Sequence, residues 1–252
     1  MKTSRLLAVV CGLLLSVAAF AQTRIIAHRG YWKTAGSAQN SLTALVAAHS
    51  IDAYGSEFDV SITTDGKIMV NHDPTIQGIS IENNPYWVIM DKRLDNCETV
   101  PTLNQYLAMA RYLAPTKLIL EIKPHDQEAN EDRCVDEVLR LVKAAGLESR
   151  TEYISFSYHV CKRLALKAPG AMVSYLGGDK TPAEVHADGI KGIDYDGKII
   201  MKNPRWVEEA HRLSMTVNVW TIDDPDDIKA FVKMKVDFIT TNIPVEAMKL
   251  CR

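Results

Sequence analysis

The chain has 252 residues, of which 47% are hydrophobic and 24% charged, an ordinary composition for a protein with a sizeable core. Its formal net charge is −2 and it contains no basic run, so electrostatic binding to nucleic acid or to an anionic membrane finds no support. The length suits one barrel domain as well as two smaller domains.

Residues 1–21 read as a secretory signal peptide. Lys2 and Arg5 form a short basic start, Leu6 to Phe20 an apolar stretch, and Ala19-Phe20-Ala21 a small-x-small cleavage site. The stretch is too short for a membrane span. No Cys follows the cut before Gln22, so neither a lipoprotein anchor nor any other stable membrane anchor is expected. The expectation is an exported protein, with the periplasm as its compartment and residues 22–252 as its folded domain. Cys97, Cys134, Cys161 and Cys251 lie in that domain; their spacing lacks a Cys-x-x-Cys or paired His, which argues against zinc and for buried free thiols. Export permits disulfides, but spacing alone pairs none.

Ile25-Ile26-Ala27 is a short apolar run that ends at His28-Arg29-Gly30, and Ser41 is placed to cap a helix from Leu42 to about Ser50. Gly55 to Pro74 then reads as two extended runs, Glu57 to Ile62 and Ile68 to His72, joined at Asp65-Gly66. A two-residue turn there pairs Thr64 with Lys67 and, further along, Asp59 with His72. Glu57 shares that face, which gathers two carboxylates and an imidazole. Residues 74–101 look irregular, a length that suits a binding loop or lid. Tyr86 and Trp87 are expected to pack on the domain body, with a lid role as the alternative.

From Leu103 the pattern is regular. Helices are expected at Leu103 to Leu113, Glu131 to Ala145 (stopped by Gly146), Val160 to Lys167, Pro182 to Ala187, Pro204 to Leu213 and Pro225 to Met234. Strands are expected at Lys117 to Lys123, Tyr153 to Phe156, Met172 to Leu176, Gly192 to Tyr195, Thr216 to Thr221 and Val236 to Thr240. Counting the earlier runs gives nine strands, or eight once the hairpin extra is set aside. Neither Gly-x-Gly-x-x-Gly in the first unit nor Gly-x-x-x-x-Gly-Lys is present, which disfavours a nucleotide-binding fold. The expected fold is a single α/β domain, a (β/α)8 TIM barrel with an extra β-hairpin and a long loop after it.

Working groups of such a barrel stand at the C-terminal strand ends. There the sequence places His28-Arg29, then Glu57, Asp59 and His72, then Glu121 and Lys123, and finally Trp220. Polar residues alternating in the otherwise apolar strand at Lys117 to Lys123 imply a hydrated or metal-filled cavity, because unpaired buried charges are costly. Three carboxylates completed by water suit Ca2+ or Mg2+. Arg29 and Lys123 beside such an ion call for an anion, and a phosphate fits both. Two histidines supply a proton acceptor and a proton donor near neutral pH.

His28-Arg29-Gly30, Asn40-Ser41, Glu57-Phe58-Asp59, His72-Asp73, Pro101-Thr102-Leu103, Glu121-Ile122-Lys123 and Val219-Trp220-Thr221 together resemble the glycerophosphodiester phosphodiesterase family across the mature chain. The resemblance implies a barrel that holds one divalent cation, Ca2+ or Mg2+, through Glu57, Asp59 and Glu121. It makes His28 and His72 the acid/base pair, Arg29 and Lys123 phosphate ligands, and Trp220 the aromatic against the glycerol. The implied reaction is hydrolysis of a glycerophosphodiester to sn-glycerol 3-phosphate and an alcohol, with a cyclic phosphate as a conceivable intermediate. The family usually carries Glu-Asn-Thr or Glu-Asn-Ser where this chain has Gln39-Asn40-Ser41. Asn40 is read either as a substrate or metal-water contact or as a cap of the next helix. Rival readings are a related phosphodiesterase of the phosphatidylinositol-specific phospholipase C or sphingomyelinase D kind, and a non-catalytic phosphodiester-binding protein.

Other polar positions carry less. His49, His159, His186 and His211 read as helix-surface residues, His125 as a possible substrate contact, and Ser157 as a possible pocket residue without the surroundings of a nucleophile. Asp223-Asp224-Pro225-Asp226-Asp227 resembles a calcium-binding run but is better explained as carboxylates at a helix N-terminus. The sequence is silent on the alcohol, the preferred ion and the oligomeric state.

Overall fold

The computed structural model describes residues 22–251, so the expected signal peptide lies outside the described residues. The strands are β1 Arg24–Ala27, β2 Gly55–Ile62, β3 Ile68–Val70, β4 Thr75–Ile76, β5 Ile79–Ser80, β6 Lys117–Ile122, β7 Thr151–Ser155, β8 Val173–Tyr175, β9 Gly192–Asp196, β10 Thr216–Trp220 and β11 Phe238–Thr241. Eight of them are parallel neighbours in the order β1-β11-β10-β9-β8-β7-β6-β2, and a β1–β2 pairing closes the ring. Helices connect the parallel strands, so the expected (β/α)8 barrel is the observed fold.

Period-two alternation divides each strand between the barrel interior and the helical shell. In β6, Leu118, Leu120 and Ile122 join the large apolar layer under the helices, whereas Ile119 packs inside with Ile26, Ile154, Leu176 and Phe238. Glu121 follows Ile119 at the same period, so it too points inward, one layer nearer the C-terminal mouth. The same rule in β2 sends Phe58 and Val60 outward and Glu57 and Asp59 inward.

Two helix starts position the site. Ser41 caps the helix Leu42–Ser50 by accepting from Ala44 N at 2.9 Å. Thr102 and Gln105 form a reciprocal capping box on Leu103–Ala110. The helix expected from Glu131 begins a turn earlier, at Glu128, and ends on Gly146 with φ +69°. Two short helices, Gly197–Lys202 and Pro244–Leu250, were not foreseen, because six or seven residues leave little periodicity to detect.

The hairpin corrects the expected register. Val60 faces Val70 and Ile62 faces Ile68, so Thr63, not Thr64, pairs with Lys67. The loop has three residues, Thr64-Asp65-Gly66, with Gly66 at φ +84°, the arrangement in which the last residue must be left-handed. Asp59 therefore faces Asn71, whose N–H donates to Asp59 O at 3.0 Å, and His72 lies one residue beyond.

Residues 74–101 are also more ordered than expected. They hold the β4–β5 ladder, a short helix Tyr86–Ile89 and a small core of Ile76, Ile81, Ile89 and Val100 packed on Met69. Tyr86 packs on that core as expected, whereas Trp87 is 71% exposed. The four cysteines among the described residues are free; Cys134, Cys161 and Cys251 are buried, but Cys97 is exposed. Among the described residues no helix is long and apolar enough to cross a membrane.

Candidate active site

His28, Arg29, Glu57, Glu121, Lys123 and His72 meet around a cavity of about 130 Å³ at the barrel mouth. Local structure explains how His28 and Arg29 enter it. The chain leaves β1 through Arg29 at φ +55° and Gly30 at φ +76°. A Cβ on Gly30 would stand 2.6 Å from the Ala44 side chain, so only glycine allows this sharp turn against the Leu42–Ser50 helix. The turn presents the Arg29 N–H to Glu57 Oε2 at 2.7 Å.

Glu57, Asp59 and Glu121 each place a carboxylate oxygen within 4.8 Å of the others, and all three are buried. Burial pushes the Glu57 and Glu121 carboxyls up, reinforced by repulsion from Asp59, and Glu121 reaches about 8. Asp59 goes the other way: burial opposes its charge, but Lys123, His72, the Asn40 amide and Arg29 outweigh burial and hold it below the usual range. Lys123 Nζ stands 2.8 Å from Glu121 Oε1 and 3.3 Å from Asp59 Oδ1, and the first contact lacks hydrogen-bond alignment. One ammonium does not neutralise three carboxylates. Hard oxygen donors this close, two of them poorly ionised without a counter-charge, fit a divalent cation such as Ca2+ or Mg2+.

Asn40 is not the helix cap; its side chain is engaged with Asp59. Its amide donates to Asp59 Oδ2 at 2.9 Å while its carbonyl accepts from Asp59 N at 3.1 Å, and Ser41 does the helix capping. Asn40 thus fixes the orientation of Asp59. Gln39 accepts from the Arg29 guanidinium through Oε1, where the family Glu would add a charge.

The tautomer of His28 follows from its neighbours. Trp32 Nε1 and His28 Nδ1 both approach the same atom, Asn242 Oδ1, at 3.0 and 2.9 Å. An indole N–H only donates, so that atom is the acceptor oxygen, and Nδ1 of His28 must carry its proton. Asn242 is held in turn by Asp223, which accepts from its amide at 2.8 Å and from its backbone N–H at 2.8 Å. Burial lowers the His28 imidazole to about 4, partly offset by the Asn242 hydrogen bond. A neutral His28 therefore offers the Nε2 lone pair. His72 Nδ1 lies 2.7 Å from Asp73 Oδ1, at the more open side of the mouth.

The opposite side of the cavity was largely missed by sequence reasoning. Phe156, Leu176 and Asp194 line it beside Trp220. Trp220 donates its indole N–H to Asp194 O at 2.9 Å and meets Phe156 edge-on at 5.4 Å between centroids. Asp223 and Asn242 were missed too, although the Asp223–Asp227 run was noticed. There Asp224 caps the following helix through Asp226 N and Asp227 N, as a dipole argument anticipates, and Asp223 alone turns inward.

Two weaker candidates do not reach the cavity. His125 Nε2 accepts from Ile62 N at 3.1 Å and ties the hairpin to β6. Ser157 caps the helix Tyr158–Lys167 and donates to Glu131 Oε2 at 2.8 Å. Of the helical histidines, His49 bonds Thr116, His159 bonds Asp132 and His211 bonds Asp237.

A buried acidic triad able to hold a metal, with Arg29, Lys123 and two histidines beside it, is the equipment of a phosphodiesterase. Comparison with known proteins narrows the class. The model of the glycerophosphoryl diester phosphodiesterase family matches residues 28–246, and the chain belongs to that family. A crystal structure of a glycerophosphodiester phosphodiesterase from Parabacteroides distasonis is 44% identical with a TM-score of 0.90, covering 91% of this chain and 97% of that one. A glycerophosphodiester phosphodiesterase from Caldanaerobacter subterraneus subsp. tengcongensis is 24% identical, over 92% of this chain and 98% of its own length. An Oleispira antarctica phosphodiesterase in complex with the product sn-glycerol-3-phosphate shares the fold, with a TM-score of 0.78 at 19% identity over 91% of this chain and 96% of that one.

Proposed function

We propose that this enzyme hydrolyses glycerophosphodiesters to sn-glycerol 3-phosphate and an alcohol, with one divalent cation, Ca2+ or Mg2+, held by Glu57, Asp59 and Glu121. The observation that carries the reading is the buried triad of Glu57, Asp59 and Glu121, of which Glu57 and Glu121 line one cavity together with His28, His72, Arg29 and Lys123. When bound, the cation would offset phosphate charge as the transition state forms. Arg29 and Lys123 hold the non-bridging phosphate oxygens, and Asn40 keeps Asp59 oriented. His28, neutral and protonated on Nδ1, accepts the proton of the attacking oxygen through Nε2. As the bond from phosphorus to the alcohol oxygen breaks, His72 gives that oxygen a proton. Trp220 and Phe156 pack on the glycerol carbons.

A second cavity of about 300 Å³ shares Arg29 and His72 with the first and extends over the 74–101 segment to Arg93 and Asp95. It suits the alcohol half of the diester, since His72 then sits between the two halves. We also propose export to the periplasm, on the basic start, apolar stretch and Ala19-Phe20-Ala21 site of residues 1–21; a mature N-terminus at Gln22 is the expected result of sequencing the secreted protein.

The test is turnover of glycerophosphocholine, -ethanolamine, -glycerol and -inositol with each ion. Release of sn-glycerol 3-phosphate that a chelator abolishes is expected. Binding without release would leave a non-catalytic phosphodiester receptor, and preference for intact micellar lipid a phospholipase.

A further inference from the structure

Asp194 is the one buried acid at the cavity that the proposed chemistry leaves without a task. It lies on β9, where Ile193 and Tyr195 face the helices and Asp194 faces the barrel interior, only 2% exposed. Its interior neighbours, Ile154 on β7 and Leu176 just past β8, are apolar. Its Oδ1 is buried without a hydrogen-bond partner among the described residues. Asn218, its register partner on β10, gives its amide to Thr240 Oγ1 at 2.8 Å and also bonds the Asp194 carboxyl, leaving Asp194 Oδ1 and its own carbonyl unpartnered. A buried carboxyl oxygen lacking a donor is expensive, and most such atoms in folded proteins find one. The donor expected here arrives with the ligand.

The ring order restricts what that ligand presents. β9 stands across the barrel from β1 and β2, which carry His28, Arg29, Glu57 and Asp59. The phosphate and the cation therefore belong to one side of the cavity and Asp194 to the other, outside the group of carboxylates able to share an ion. Trp220 gives its indole N–H to the backbone carbonyl of Asp194, which holds the ring beside the strand that carries the carboxyl. A ligand matched to this row has an anion at one end, a short carbon chain along the ring and a hydroxyl at the other end.

We infer that Asp194 is the residue that selects glycerol, its Oδ1 accepting a hydrogen bond from the glycerol hydroxyl farthest from the phosphate. The inference rests on the proposed hydrolysis and adds the origin of its preference for a triol. Burial pushes the Asp194 carboxyl up to about 7 against the opposing Asn218 hydrogen bond, so near neutral pH it is only partly ionised and repels the diester less than a full charge would.

The experiment compares two diesters, glycerophosphocholine and the analogue with propane-1,2-diol in place of glycerol, which lacks only the terminal hydroxyl. Wild type should prefer the glycerol diester by about 100-fold in kcat/KM, the discrimination expected of one hydrogen bond to an acidic group. Asp194→Ala should lose that preference and turn over the two diesters at similar kcat/KM. Asp194→Asn keeps the size and an acceptor oxygen, should retain part of the preference, and decides the matter if the Ala variant does not fold. Wild type that hydrolyses both diesters equally well, or an Asp194→Asn variant with the full wild-type preference, would overturn the inference and leave the hydrolysis standing. Wild type that hydrolyses neither overturns the hydrolysis, and the inference with it.

Discussion

The two walls of the cavity are built by different rules. The wall formed by β1, β2 and β6 is charged, and nearly every one of its side chains holds another: Arg29 its backbone on Glu57, Asn40 on Asp59, Lys123 on Glu121 and Asp59. The wall formed by β7 to β10 is mostly apolar around Asp194, and its fixed points are an aromatic edge contact and one indole hydrogen bond. The first wall suits charge that changes during a reaction, because preorganised dipoles and charges act most strongly in a dry pocket. The second suits the part of a substrate that does not react. Damage to the first wall should therefore appear mainly in kcat, and damage to the second mainly in the choice between substrates.

The largest effects are expected from the histidines. His28→Ala or His72→Ala should lower kcat by about 10³-fold, the range for loss of general acid or base, with KM little changed and circular dichroism showing an intact fold. A near-normal rate in either variant would remove that histidine from proton transfer.

Next come the carboxylates. Glu121→Gln should raise the cation concentration needed for half-maximal activity by about 100-fold, at the upper end of what perturbing a metal site produces. The same variant has a signature without turnover. In chelator, Glu121 in the folded protein keeps its proton up to about 8 and Asp194 up to about 7, whereas both are ionised in the unfolded chain. Stability is therefore lost as pH rises from the ordinary carboxylate range near 4, where these groups ionise in the unfolded chain, to about 8, and the fall is unopposed above about 6.5. The low value of His28 contributes a rise with pH, but only between about 4 and its ordinary 6.5. Wild type in chelator should show a falling thermal midpoint over the higher window, cation should reverse the fall, and Glu121→Gln should flatten it. A midpoint indifferent to both cation and substitution would separate Glu121 from the metal.

A smaller effect is expected behind the charged wall. Asn242→Ala removes the acceptor that fixes the His28 tautomer but leaves His28 in place, so kcat should fall about 10-fold at unchanged KM, less than the loss of an acid or base itself. Because the Asn242 hydrogen bond raises the His28 value, its loss should carry the acid limb of the kcat/KM profile to lower pH. An acid limb that moves upward would mean that His28 is not the group titrating there.

The difference between the walls also accounts for what was legible in the sequence. Charged residues at strand ends stand out, since burial of Glu57, Asp59, Glu121 and Lys123 needs an explanation that an apolar core does not supply. Phe156 and Leu176 resemble any other core residue until the ring is closed and they are seen to face its mouth. The eight-strand barrel followed from alternation, yet the hairpin register slipped by one residue because Asp65-Gly66 serves a three-residue loop as readily as a two-residue one. The slip left His72 at the site all the same: β3 stops at Val70, and Asn71-His72 leaves the ladder to cross the mouth. Asn242 carried no legible signal, as its contact with His28 spans 214 positions and exists only once β11 lies beside β1.

Gln39 provides the finest comparison, because it lies behind the charged wall and departs from the pattern that the rest of the wall obeys. Its carbonyl accepts from the Arg29 guanidinium without neutralising it. A carboxylate at that position would strengthen the contact and hold the guanidinium more rigidly, but it would also reduce the net positive charge offered to the phosphate. The two effects oppose each other, so Gln39→Glu should change kcat/KM by only about 3-fold, within the small range of a partly exposed ion pair, with kcat equal or higher. The salt dependence of KM discriminates between them: with less net positive charge facing the anion, KM should respond less steeply to ionic strength. A loss of activity beyond 10-fold would instead mean that the neutral amide is matched to its own geometry around Arg29, and that the charged wall depends on the carbonyl of Gln39 as closely as on its carboxylates.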